Sequence, residues 1–99
     1  MNLREFDNKA VGEIRRLMAK NELVLTNLSM YIEVHPIRIS EILNGKRSVT
    51  PDTDLRLCKF FKLKDGHFLK LQNEYDLNLA REKISDRIDN IKTIDEIIR

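Results

Sequence analysis

Apolar side chains recur along this chain at intervals of three and four, with no convincing strand-like alternation. Val11, Ile14, Leu17 and Met18 predict a first helix over residues 11–23, preceded by a polar arm, 1–9, that lacks a clear period. A second helix is expected from Leu25 to Ile32, with Leu28 and Ile32 on one face. Glu33-Val34-His35 leaves room only for a tight turn. Pro36 suits the first position of the next helix, where its missing N–H is no loss. Ile39, Ile42 and Leu43 form that helix's inward stripe, and Asn44-Gly45 stops it. Thr50 caps a fourth helix that opens with Pro51 and carries Asp52 and Asp54 at its start, where acids favour the helix dipole. Its inward positions are read as Leu55, Cys58 and either Phe61 or Phe60. A fifth helix begins near Asp65, lined by Phe68, Leu71, Tyr75 and Leu79. No internal repeat or linker interrupts this succession.

The last third of the chain carries a separate signal. Leu77, Ala80, Ile84, Ile88 and Ile91 recur at spacings of 3, 4, 4 and 3, which places them in one narrow arc of a helix. Glu82, Asp86 and Asp89 lie on the opposite side, and Thr93-Ile94-Asp95-Glu96 reads as a capping box. Such a stripe either packs on the chain's own core or binds a partner.

Length and composition narrow the classes. Ninety-nine residues with 41% apolar and 34% charged side chains suit one soluble all-α domain, with 10–82 as its core and 83–99 as a helical tail. No apolar run could span a membrane, the N-terminus lacks a signal-peptide h-region, and the lone Cys58 is simplest in a reducing cytoplasm. The net charge of +2 hides an asymmetry: residues 1–34 sum to zero, 35–70 to +4 and 71–99 to −2. A basic middle suggests a polyanion. His35, Cys58 and His67 do not stand at metal-ligand spacing, and neither a glycine-rich phosphate loop nor a nucleophile motif occurs. The residues predict no metal, no cofactor and no enzyme.

Two short helices joined by a three-residue turn form a candidate helix-turn-helix. Small Ser29 permits the second helix to cross close to the first, and Ile32, Val34, Ile39 and Ile42 surround the crossing. The segment His35-Pro36-Ile37-Arg38-Ile39-Ser40-Glu41-Ile42-Leu43-Asn44-Gly45-Lys46-Arg47-Ser48-Val49-Thr50 resembles the recognition-helix region of HigA-like antitoxins within the Xre-type helix-turn-helix group. Pro51-Asp52-Thr53 through Phe61 and Asp65-Gly66-His67 through Leu77 are similar to the family's two following stretches. The resemblance covers roughly residues 10–82. It implies a lambda-repressor-like five-helix bundle, binding to double-stranded operator DNA as a homodimer, repression of the chain's own operon, and neutralisation of a small basic HigB-like ribonuclease toxin. A stand-alone repressor, or an interaction module that has lost DNA binding, are the alternatives. Val24 and Leu25 depart from the family, which usually has a capping Ser or Thr and a phosphate-binding Gln there. Losing the cap costs about 1 kcal/mol. Glu33 occupies a frequent turn-glycine position and is strained if φ is positive.

With Ile39 facing the core, Ile37, Glu41 and Asn44 point outward, and Arg38 and Ser40 lie on the shoulders. Arg38 suits a bidentate contact to guanine, and Ile37 a thymine methyl. Ser40 and Asn44 suit phosphate bonds, as do Lys46 and Arg47 beyond the helix end. Glu41 either accepts from cytosine N4 or pairs with Arg38 three residues back and orients it, the second being the favoured reading. Pro36 opens the helix, and Thr26 and Asn27 supply replacement cap or phosphate bonds on the preceding one if that helix starts later than Leu25. Leu77, Ile84, Ile88 and Ile91 are the candidate partner contacts, for a second subunit or the toxin.

Overall fold

The computed structural model of the chain describes residues 8–98. Most of the expected arm lies outside the described residues, but Asn8 caps the first helix and Lys9 opens it. The Asn8 side chain accepts hydrogen bonds from the N–H groups of Ala10 and Val11 at 3.1 and 3.3 Å. With its first amides capped, α1 (Lys9–Lys20) starts before the expected Val11. It also stops before Leu23, because the chain turns left-handed at Glu22, φ 53°.

Next come α2 (Leu25–Ile32) and α3 (Pro36–Leu43), at the bounds that periodicity and punctuation predict. They are followed by α4 (Pro51–Phe61), α5 (His67–Asp89) and a single turn, α6 (Ile94–Ile97). The fold is all-α, with no strand among the described residues. Ala10, Ile14 and Leu17 of α1 meet Leu28 and Ile32 of α2, Ile39 and Ile42 of α3, Leu57 and Cys58 of α4, and Phe68 of α5 in one core. Val34 in the turn and Val49 before α4 complete it.

The inward face of α4 differs from the expected one. Leu55 is 50% exposed, whereas Thr53, Asp54, Leu57 and Cys58 are buried. Asp54 is the reason. Gly66, the N-cap of α5, has no side chain to receive that helix's free amides. The Asp54 carboxylate accepts instead from the N–H groups of Gly66, Phe68 and Leu69, at 2.7, 2.9 and 3.0 Å. It caps a neighbouring helix rather than serving the dipole of its own. The rotation that brings Asp54 to α5 turns Leu55 out.

Gln72, also buried, ties three segments together. Its Oε1 accepts from Asn8 Nδ2 and the Val49 N–H, and its Nε2 donates to Asp76. α5 begins at His67, after the expected Asp65, and is continuous with the segment read as a separate tail. Its first turns pack on α1 and α4. Beyond the half-buried Leu79 every residue from Ala80 through Ile98 is exposed. The apolar stripe of the tail therefore does not pack on its own core. Ile84, at φ −118° and ψ 18°, is the one non-helical position inside α5.

Candidate nucleic-acid interface

The outer surface of α3 is positioned by bonds at both of its ends. His35 is the N-cap, its Nδ1 accepting from the Ile37 N–H at 3.1 Å, and Pro36 takes the first turn. At the other end Arg15 of α1 donates from Nη2 to the Leu43 carbonyl at 2.9 Å. A long cation thereby satisfies a carbonyl that a helix C-terminus leaves free. The C-terminus of α2 is held in the same way. Arg56 of α4 donates from Nη1 to the carbonyls of Ile32 and Glu33 at 3.0 and 3.1 Å, and its Nε pairs with Asp52 at 2.6 Å. Glu33 sits at φ 59°, so the condition under which a side chain is strained in this turn is met, and the Arg56 bond fixes the carbonyl that follows that φ.

On this frame Ile37 is 62% exposed and Ser40 and Glu41 are half-exposed, while Lys46 and Arg47 face solvent beyond Asn44. Asn44 Nδ2 donates to Ser40 Oγ at 3.4 Å. Glu41 does not orient Arg38: its Oε1 accepts from Arg47 Nε at 3.1 Å, because the loop after Gly45 folds back over the helix end. Arg38 is half-buried, and its Nε has no acceptor among the described residues. Such a donor is costly to leave unmet.

α2 contributes its N-terminal turn. Val24 caps it without a side-chain bond; because α2 starts at Leu25 and not later, Asn27 does not become the cap, and its Oδ1 instead reaches back to accept from the Val24 N–H at 2.8 Å. Thr26 lines a groove of about 410 Å³ together with Met30, Glu33, His35 and Pro36, so the start of α2 and the start of α3 share one open surface. Leu77, Ile84, Ile88 and Ile91 are not brought to this surface; they lie along the distal part of α5 and just past its end, and all four are exposed.

The helix-end bonds of Arg15 and Arg56, and the part Asp54 plays as the cap of α5, escaped the sequence reading. No local spacing marks an arginine that caps a helix far away in the chain. Asp54 did carry a signal, since it lies one residue from Thr53 and three from Leu57 on a helix face that is otherwise buried. The remaining reactive side chains are structural. His67 Nε2 lies 2.7 Å from Glu13 Oε2 and links α5 to α1. Burial pushes the Cys58 thiol above its ordinary value and keeps it neutral.

A short helix laid across a three-residue turn from its predecessor, with its N-terminal half open to solvent, defines a helix-turn-helix protein. The fold agrees closely with an addiction-module antidote protein of the HigA family from Coxiella burnetii: TM-score 0.79 and 31% identity over 88% of this chain and 95% of that one. The chain belongs to the HigA family of antidote proteins, which are antitoxins. An antidote protein of a plasmid maintenance system from Nostoc punctiforme gives a TM-score of 0.74 at 25% identity over 86% and 93%. The Pseudomonas aeruginosa antitoxin HigA, solved with the higBA promoter, gives 0.76 at 23% identity over 85% and 95%. Virulence-associated protein I of Dichelobacter nodosus is 38% identical over 55 residues, 56% of this chain and 51% of that protein. The match thus spans about half the length of that curated relative. No protein-family model matches the chain. Among the described residues no helix is long and apolar enough to cross a membrane.

Proposed function

We propose that this antitoxin is a cytoplasmic, homodimeric operator-binding repressor of its own operon that also neutralises a HigB-like ribonuclease toxin. In this reading residues 1–99 form one domain, with 10–82 as its core and 83–99 as a tail. The single observation that carries DNA binding is the presentation of α3: its outward Ile37 and flanking Arg38 stand at a capped, rigid N-terminus, with exposed Lys46 and Arg47 beyond its C-terminus. A recognition helix enters the major groove with its N-terminal residues nearest the base edges. The promoter complex of the Pseudomonas relative supports the same use of the fold.

The residue roles follow from these positions. Ile37 packs on a thymine methyl and Arg38 reads guanine through its outer nitrogens. Pro36, Ser40, Asn44, Thr26 and Asn27 border the backbone, and Lys46 and Arg47 neutralise phosphates. Glu41 restrains Arg47 until phosphate competes for it. One recognition helix reads too few base pairs to select an operator, so two copies on a palindrome are required. The exposed stripe of Leu77, Ile84, Ile88 and Ile91 is the surface we assign to a partner subunit.

Fluorescence-anisotropy titrations on the DNA upstream of the reading frame, over a salt series, test this proposal. Arg38→Ala is expected to lose about 1–3 kcal/mol and to relax specificity at one base pair. Lys46→Ala is expected to weaken all sequences alike and to lower the salt slope by about one unit. Unchanged binding in both variants would overturn the DNA reading.

A further inference from the structure

We propose that the groove between the C-terminal ends of α1 and α4 is a docking site for an acidic, apolar segment of a partner protein other than the toxin. The inference goes beyond the operator-and-toxin reading and does not rest on it. Two helices stop here in the same way. The chain turns left-handed at Glu22, φ 53°, and at Lys62, φ 59°. In each case the next residue bonds back into the last turn. The Leu23 N–H donates to the Met18 carbonyl and the Leu63 N–H to the Cys58 carbonyl, both at 2.8 Å. A stop of this kind commonly places an apolar residue just past the helix. Leu23 and Leu63 thereby line one groove of about 600 Å³ together with Leu17, Phe60 and Phe61. Leu17 is buried and the other four are half-buried, so the floor is apolar and open to solvent. No residue of α3 or of the tail stripe lines it.

Charge selects the occupant. Arg16, Lys20 and Lys62 rim the groove, all three exposed, and among the described residues no carboxylate lines it. A helix C-terminus attracts cations, which accounts for Lys20 in the last turn of α1. Arg16 is paired with Glu13 at 2.7 Å, but neither Lys20 nor Lys62 forms an ion pair among the described residues. A partner carboxylate supplies what both lysines lack, and the apolar floor beside them limits screening by water. The same rim repels a basic toxin. Single-stranded nucleic acid also suits basic and aromatic surfaces, but it needs open ring faces on which to stack its bases. The rings here are turned to one another: Tyr31 stacks on Phe60 at 5.4 Å, and Phe60 meets Phe61 in a T-shape at 5.0 Å. The leucines that make up the rest of the floor suit apolar side chains.

Fluorescence anisotropy of the full chain with a labelled synthetic helix, leucines on one face and glutamates elsewhere, tests this site. The peptide is expected to bind, and to lose about 10-fold or more in affinity with Lys62→Glu and with Lys20→Glu. Lys83→Glu, a reversal on the exposed part of α5, is expected to change little. Peptides with serine for leucine, or with lysine for glutamate, are expected not to bind. Both groove variants are expected to keep the helical circular-dichroism signal, the operator affinity and the toxin capture of the parent chain. The site is overturned if the acidic peptide does not bind, if its serine counterpart binds equally, or if neither lysine variant weakens it. A reduced operator salt slope in Lys62→Glu overturns the acidic partner and assigns the rim to the DNA backbone. Lost toxin capture in that variant overturns it in favour of the toxin. Tighter, Lys62-dependent binding of a labelled oligothymidylate overturns it in favour of single-stranded nucleic acid.

Discussion

The body of this antitoxin and the distal part of its longest helix use the same residue type to opposite effect. Ile14, Ile39 and Ile42 recur at helical spacing and are 1, 3 and 1% exposed. Ile84, Ile88 and Ile91 recur at similar spacing and lie in solvent. The difference is in what else reaches each face. In the body, five helices meet in one core, and each apolar stripe finds another. Beyond Leu79 no other element among the described residues covers α5, and those residues are drawn out to 58 Å by 28 by 21 Å. Periodicity specifies that a helix has an apolar face. It does not say which chain covers that face.

The strongest test of this contrast exchanges a large apolar residue in each region. Phe68→Ala empties the centre of the body and is expected to cost about 3–5 kcal/mol in urea denaturation. Ile88→Ala, measured at a protein concentration low enough to hold the chain as a monomer, is expected to cost less than about 0.5 kcal/mol. Equal losses would mean that the two faces are packed alike. Truncation after Glu82 is a milder intervention. It is expected to leave the thermal midpoint of the monomer nearly unchanged, since the described residues it removes are exposed, while dimerisation or toxin capture weakens. An unfolded product would make the tail part of the body.

The smallest expected effect lies where α1 meets α5. The bond from Arg16, and then that from His67, holds the Glu13 carboxyl below its ordinary value of 4.5. The folded chain therefore binds that proton less readily than the unfolded chain does. The stabilisation is complete above about pH 4.5 and is lost as the pH falls through the lower, folded value. Thermal midpoints measured from pH 6 to pH 3 are expected to fall less steeply in Glu13→Gln than in the parent chain. Parallel curves would show that the pair contributes nothing.

Much of the helix-turn-helix is legible in the order of residues alone. Pro36, Asn44-Gly45 and Thr50-Pro51 punctuate the chain with local chemistry, and the bounds of α2 and α3 follow from them. The left-handed Glu33 and the bond from the Val24 N–H to Asn27 are local in the same way, because each acts within three residues of itself. The partner chosen by Glu41 is not. Helical spacing offers it Arg38, yet the loop beyond Gly45 carries Arg47 back to it.

The chain's own order of residues determined where α2 and α3 begin and end, which turn joins them, and that an apolar stripe runs through the tail. These depend on interactions a few residues long, and the sequence states them directly. Only the tertiary structure decided that Asp54 caps α5, that Arg15 and Arg56 hold the ends of α3 and α2, that Leu55 faces outward and that the tail stripe is uncovered. Each of these is a choice among acceptors or faces that become neighbours only when helices cross. A buried carboxylate turns to the amides with no other partner, and a helix face stays bare where no second helix arrives.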